Sequence, residues 1–183
     1  RQRFRVAYHR SQRLSMKVIF LDFDGVLNGL ETNCPPSPIH PLLWLCPPLV
    51  ARVNHIIART GAVVVLSTSW RTRAHHTSAS AMHMSLDELR EALRLAGFVG
   101  EVIGVTPDLA RLDTIGRTGD VLWRCPPRLK EIRAWLDAHP VSAFVVLDDD
   151  GGAELAGHFV HCSKRTGLTE SDVEKAVRIL GAT

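Results

Sequence analysis

No apolar run in the sequence approaches the ~20 residues that cross a bilayer, so no membrane-spanning helix is expected. The N-terminus carries charge but no apolar stretch followed by a small-residue cleavage site, so it does not read as a secretory leader. Cysteine is scarce. Cys34, Cys46, Cys125 and Cys162 stand far apart and form no CxxC pair. That argues against a structural zinc site and makes reduced thiols in a cytoplasmic protein the simplest expectation. Internal repeats and low-complexity tracts are missing too, which excludes solenoid and fibrous arrays. Finally, residues 1–17 lack any acidic residue while holding six basic ones: Arg1, Arg3, Arg5, Arg10, Arg13 and Lys17.

That last absence changes the meaning of the net charge of +3. Of the 22 Lys and Arg residues, 16 remain beyond the arm, against 19 acidic residues, so the rest of the chain is about −3. The basic balance belongs to an arm, not to the fold. Residues 1–15 are read either as an arm that touches nucleic acid or as non-native, disordered sequence upstream of a start at Met16. The second reading is favoured, because strand-like sequence begins directly after Met16. What is present in quantity is apolar: 45% hydrophobic residues and 22% charged over 183 residues suit one globular domain, residues 16–183, with a full core.

Short apolar strands alternate with helical periodicity along that domain. Strands are expected at 17–21, 62–66, within 98–105, at 143–147 and at 158–161. Helices are expected at 48–60, 85–95, 128–138 and 170–180. Gly61 reads as a helix stop, Ser85 with Glu88 as a capping box, and Thr169 as an N-cap. The strands Ala62-Val-Val-Val-Leu66 and Ala143-Phe-Val-Val-Leu147 are too uniformly apolar to have a wet face. Such strands belong in a parallel sheet covered on both sides, a Rossmann-like α/β three-layer sandwich. Two stretches lack periodicity. Residues 29–47 hold five prolines, and residues 106–127 are rich in Gly, Pro and Arg. Both are long enough to be functional loops.

Ligands of an open parallel sheet bind beyond the carboxyl ends of its strands. After the first strand come Asp22 and Asp24; after the second, Ser67, Thr68 and Ser69; after the fourth, Asp148, Asp149 and Asp150. Up to five carboxylates converging at one edge call for a cation, and an all-oxygen set suits Mg²⁺. Asp22 and Asp24, two apart in an extended chain, point the same way. One can attack phosphorus while the other handles a proton.

The order Asp22-Phe-Asp-Gly-Val-Leu-Asn28, Leu66-Ser-Thr-Ser-Trp-Arg71, a basic helix start and Leu147-Asp-Asp-Asp150 resembles the haloacid dehalogenase (HAD) superfamily of phosphohydrolases. With Val102-Ile-Gly-Val-Thr-Pro107, Arg128-Leu-Lys-Glu-Ile-Arg-Ala-Trp-Leu136 and Gly167-Leu-Thr169, it is similar to the HAD domains within multidomain RNA-repair proteins. The resemblance implies Asp22 as nucleophile, Asp24 as general acid/base, and Ser67 as the hydroxyl that holds the phosphoryl group. Asp22, Asp24 (through its backbone carbonyl), Asp148 and Asp149 are the implied metal ligands. Glu154 fits a second acid weakly. Thr68, Ser69 and Arg71 stand as candidate substrate contacts. The superfamily expects a Lys near the basic helix, where both Arg128 and Lys130 are available. Arg128 shares a face with Ile132 and Trp135 and is favoured, whereas Lys130 falls on the wet face.

Trp70 is expected to pack in the core or under a lid rather than stack on a base, and His75 and His76 are not expected to bind metal. A phosphorelay receiver domain uses similar residues, but as that family is read its acid pair comes first as adjacent residues. The expected sheet order, counting these five strands, is 5-4-1-2-3, with no large cap. A site without a roof suits a bulky phosphorylated substrate such as a nucleic-acid end, or a partner domain that covers it. A small-metabolite or nucleotide phosphatase is the alternative enzyme, and a phosphate-binding or interaction module is the non-enzyme alternative.

Overall fold

The computed structural model describes residues 16–71, 84–109, 111–115, 120–124, 128–151, 153–155 and 157–181, with the side chains of 111–124 and 153 left aside. The elements are β1 Lys17–Leu21, α1 Pro47–Thr60, β2 Val63–Leu66, α2 Leu86–Leu95, β3 Val102–Val105, β4 Arg111–Ile115, β5 Asp120–Arg124, α3 Arg128–Ala138, β6 Ala143–Asp148, β7 Phe159–His161 and α4 Glu170–Leu180. The five-stranded sheet runs β3-β2-β1-β6-β7, all parallel, which is the expected order.

β1 is apolar throughout because both of its faces are covered. Ile19 and Leu21 join a core with Val53 and Ile56 of α1, Leu89 and Leu93 of α2, and Val173 and Val177 of α4. Val18 and Phe20, on the opposite face, pack with Ile132 and Trp135 of α3. The sheet is therefore the middle layer of three, with three helices on one side and α3 on the other. That lighter cover leaves a cleft of about 520 Å³ at the start of α3, walled by Leu129, Ile132, Val146 and Phe159.

The helix ends follow local chemistry. Prolines stand at the first positions of α1, where no N–H is missed, and Gly61 closes it at φ 67 with its N–H on the Ile57 carbonyl. Ser85 and Glu88 form the expected capping box of α2, and Thr169 and Asp172 form another on α4.

Two expectations are corrected. Residues 106–127 are not one irregular loop. β4 and β5 pair there as an antiparallel hairpin, Leu112 opposite Trp123. Their interspersed charges hide the strand pattern, and a separate two-stranded sheet leaves no core signature. Cys34 and Cys46 are not free thiols. They form a disulfide with Cα atoms 5.1 Å apart, a pairing that spacing alone does not reveal. The proline-rich loop buries Leu43 and Leu45, and Pro36 bridges to Trp44. The arm 1–15, the histidines His75 and His76, and Arg73, Arg117 and Cys125 lie outside the described residues. Among the described residues no helix is long and apolar enough to cross a membrane.

Candidate active site

Three strand ends meet at one edge of the sheet. The Asp22 N–H donates to the Leu147 carbonyl at 3.0 Å and the Ser67 N–H to the Leu21 carbonyl at 2.8 Å, so β1 is stitched to β6 and β2 just where the acids begin. Asp22 is 4% exposed. Its Oδ1 accepts the Phe23 N–H at 2.7 Å, and its Oδ2 lies 2.6 Å from an Arg128 nitrogen. That same nitrogen is 3.4 Å from Asp148 Oδ2 and also donates to the Ser67 carbonyl. Arg128 is the first residue of α3, so the helix start delivers one guanidinium to all three strand ends. Lys130 lies on the exposed face of the same helix.

Asp22, Asp148 and Asp149 each bring a carboxylate oxygen within 4.8 Å of the others. Burial dominates the ionisation of the first two. It pushes the Asp22 carboxyl up against the opposing pull of Arg128, and it pushes Asp148 up to about 7, with the neighbouring Asp22 charge adding to the effect. Arg128 is raised, because Asp22 and Asp148 outweigh the burial that works against its charge. A divalent cation among the three carboxylates would act in the same direction as Arg128, toward the ionised acids. The donor set is all carboxylate oxygen, which fits Mg²⁺. Asp149 reaches the cluster because Gly25, at φ 70, has no side chain: a Cβ there would collide with the Asp149 carboxylate. Lys164 approaches the same carboxylate at 3.7 Å.

Asp24 is placed differently. It is exposed, and its carboxylate accepts from the Trp70 indole N–H at 2.9 Å and from the Asn28 amide at 2.9 Å. The Asp24 carboxylate is thus outside the three-acid cluster. Trp70 is buried, as expected, but its polar end serves the first acid motif. Ser67 is fully buried, and its hydroxyl has no protein partner. Thr68 is fully buried, and its Oγ1 accepts the Trp70 N–H at 3.4 Å. Ser69 opens the short turn Ser69–Arg71 and is half-buried. Glu154 is exposed at the rim of the cleft beside Arg128.

Arg71, expected at the substrate, is engaged inside the protein. It is buried, pairs with Glu131 of α3, and donates to the carbonyls of Thr106 at 2.9 Å, Thr68 at 2.6 Å and Pro107 at 3.3 Å. A guanidinium needs its donors satisfied once buried, and these partners satisfy them. Cys162 is a free, buried thiol whose pKa burial drives far up, so it is no nucleophile.

Sequence reasoning missed the roles of Asn28, Glu131 and Lys164. Asn28 stands four residues after Asp24, so local spacing signalled it, whereas Glu131 meets Arg71 across 60 residues of sequence. Lys164 had no such signal. It arrives because the turn 163–168 packs on residues 26–31: the Leu168 N–H donates to Val26 at 2.9 Å and the Leu30 N–H to Lys164 at 3.0 Å. The late Gly-Leu-Thr motif is thereby a neighbour of the first acid motif.

No curated protein and no solved structure matches the chain. A family model does, over residues 18–173, a span that holds every acid, hydroxyl and guanidinium of this sheet edge. The chain belongs to that family, described as the HAD domain in Swiss Army Knife RNA repair proteins.

Proposed function

We propose that the protein is a Mg²⁺-dependent phosphohydrolase that works through an aspartyl-phosphate on Asp22, with a phosphorylated nucleic-acid end as substrate. The observation that carries this reading is the approach of Arg128 to both Asp22 and Asp148, at 2.6 and 3.4 Å, beside the three-carboxylate cluster. A buried carboxylate flanked by a fixed cation is a nucleophile for phosphorus that does not repel the incoming anion.

Asp22, Asp148 and Asp149, with the Asp24 main-chain carbonyl as a further ligand, would hold the metal. When bound it would neutralise charge on the phosphoryl oxygens. The Asp22 carboxylate attacks phosphorus, and the bond to the leaving oxygen breaks as Asp24 gives that oxygen its proton. Ser67 offers its unpartnered hydroxyl, and Arg128 its guanidinium, to the phosphoryl oxygens. Water then attacks the phosphorus of the acyl phosphate, Asp24 takes a proton from it, and Asp22 is released with inorganic phosphate. Two findings support the nucleic-acid end. The family description names RNA repair, and the 25 residues between β1 and α1 form a stapled loop rather than a covering domain.

The test is a phosphatase screen with Mg²⁺ over mononucleotides, sugar phosphates and oligonucleotides phosphorylated at the 3′ or 5′ end. Turnover should require the metal and vanish with excess EDTA. Asp22→Asn should abolish turnover and phosphoenzyme. Asp24→Asn should slow turnover by roughly 10²–10⁴-fold while still allowing some phosphoenzyme to form. Full turnover in EDTA, or labelling retained by Asp22→Asn and lost by Asp24→Asn, would overturn this assignment.

A further inference from the structure

Asp24 is an exposed side chain on a turn, yet both of its oxygens are held by donors of the protein. Trp70 Nε1 lies 2.9 Å from Oδ2, and Asn28 Nδ2 lies 2.9 Å from Oδ1. An exposed carboxylate has water available and needs neither donor for solvation. The two contacts therefore do something other than satisfy it: they remove its freedom to turn.

The donors are themselves fixed. Trp70 is 3% exposed; its carbonyl accepts the Met84 N–H at 2.9 Å, and its ring meets the His40 ring edge-on at 5.4 Å. Arg71, next in sequence, is locked by Glu131. Asn28 uses its whole amide. Oδ1 accepts the Gly25 N–H at 2.9 Å, and Nδ2 donates to the Trp44 carbonyl at 2.9 Å as well as to Asp24. Trp44 lies in the loop that the Cys34–Cys46 disulfide closes. Two distant segments, 28–46 and 69–71, thus converge on one carboxylate.

We propose that Trp70 and Asn28 are positioning residues that clamp Asp24 in the geometry for proton transfer to the leaving oxygen. This rests on the phosphohydrolase reading, in which Asp24 is the acid. Holding a proton donor in line with its acceptor is worth large factors in rate, and a misplacement near 1 Å costs about 10²-fold.

The step that uses the clamp is cleavage of the bond to the leaving oxygen, so its loss should matter most where that oxygen needs a proton. Trp70→Phe keeps the packing and removes the N–H. It should lower kcat/KM by about 10- to 100-fold for an alkyl phosphate. For p-nitrophenyl phosphate, whose leaving group departs unprotonated, the loss should stay within about threefold. Asn28→Ser, at a half-exposed position, should repeat the pattern and serves if Trp70→Phe folds poorly. Equal losses on the two esters in both variants would mean general disruption and would overturn the proposal. The contact itself is read without turnover. The Trp70 indole N–H resonance, assigned with Trp70→Phe, should shift in Asp24→Ala more than the indole resonances of Trp44 and Trp135. An unmoved Trp70 resonance would also overturn the clamp. Should the unaltered protein hydrolyse neither ester and no phosphorylated oligonucleotide, the phosphohydrolase reading falls, and the resonance still decides whether Trp70 holds Asp24.

Discussion

Gly25 shows how tightly the site depends on single atoms. Its φ of 70 lies in the left-handed region that only glycine enters freely, and the space of its missing Cβ is taken by the Asp149 carboxylate. An Asp-Gly pair at a strand end reads as an ordinary turn, but here the glycine also admits a carboxylate from another strand end. Gly25→Ala would strain the backbone and push Asp149 away from Asp22 and Asp148. Phosphatase activity should fall at least about 10²-fold, as expected for a displaced reacting group. The Mg²⁺ concentration for half-maximal rate should rise. A Mg²⁺ titration that matched the unaltered protein would show that Asp149 does not need this approach. Ser67 bears on the same point from the opposite side: its hydroxyl is buried without a protein partner, which costs free energy in the fold, and on the proposed reading a phosphoryl oxygen would meet it.

The element that brings the site together is α3. It carries Arg128 to the acids, and its next turn carries Glu131 to Arg71, so one helix start is pinned at two points. The Arg71–Glu131 pair is buried on both sides and spans 60 residues of sequence. Removing one partner leaves an uncompensated buried charge, which typically costs about 3–5 kcal/mol. Arg71→Ala and Glu131→Ala should therefore each lower the unfolding free energy measured by chemical denaturation by about that much, and activity should fall with the displacement of Arg128. Exchanging both for apolar residues, Arg71→Met with Glu131→Leu, should recover much of the stability. A double variant no more stable than the singles would show that the carbonyl contacts of Arg71, not the ion pair, hold this corner. Elements like α3 were legible in the sequence because each signal is local: an apolar face, a capping box, an acid directly after a buried strand. β1, β6 and their acids were readable for that reason, as was Arg128, whose helix face points at the sheet. What stayed hidden depends on contacts between distant segments. The partner of Arg71, the pairing of Cys34 with Cys46 and the arrival of Lys164 at Asp149 are set by tertiary packing. The β4–β5 hairpin was hidden differently, since a small sheet outside the core does not impose the burial pattern that marks a strand.

At the scale of the whole molecule, charge and shape decide which phosphate esters reach the acids. Beyond residue 17 the chain is about −3, and the acids crowd one edge, so a polyanion is not drawn to the fold at large. Arg71 cannot assist at the rim, being buried. Lys164 can: its side chain is 64% exposed and stands 3.7 Å from Asp149. An exposed cation beside the carboxylate edge would guide a phosphate chain locally without coating the protein. The loop between β1 and α1, 25 residues long, is too short to form an enclosing domain. On the nucleic-acid reading, kcat/KM for a phosphorylated oligonucleotide should exceed that for the matching mononucleotide by at least about tenfold, which is about 1.4 kcal/mol of added transition-state binding. The advantage should shrink as salt rises, because phosphate contacts release counterions, and it should shrink again in Lys164→Ala. The comparison belongs on a chain beginning at Met16, so that residues 1–15 add no charge of their own. Equal rates on the two substrates, with no salt dependence, would place the protein among phosphatases of small metabolites.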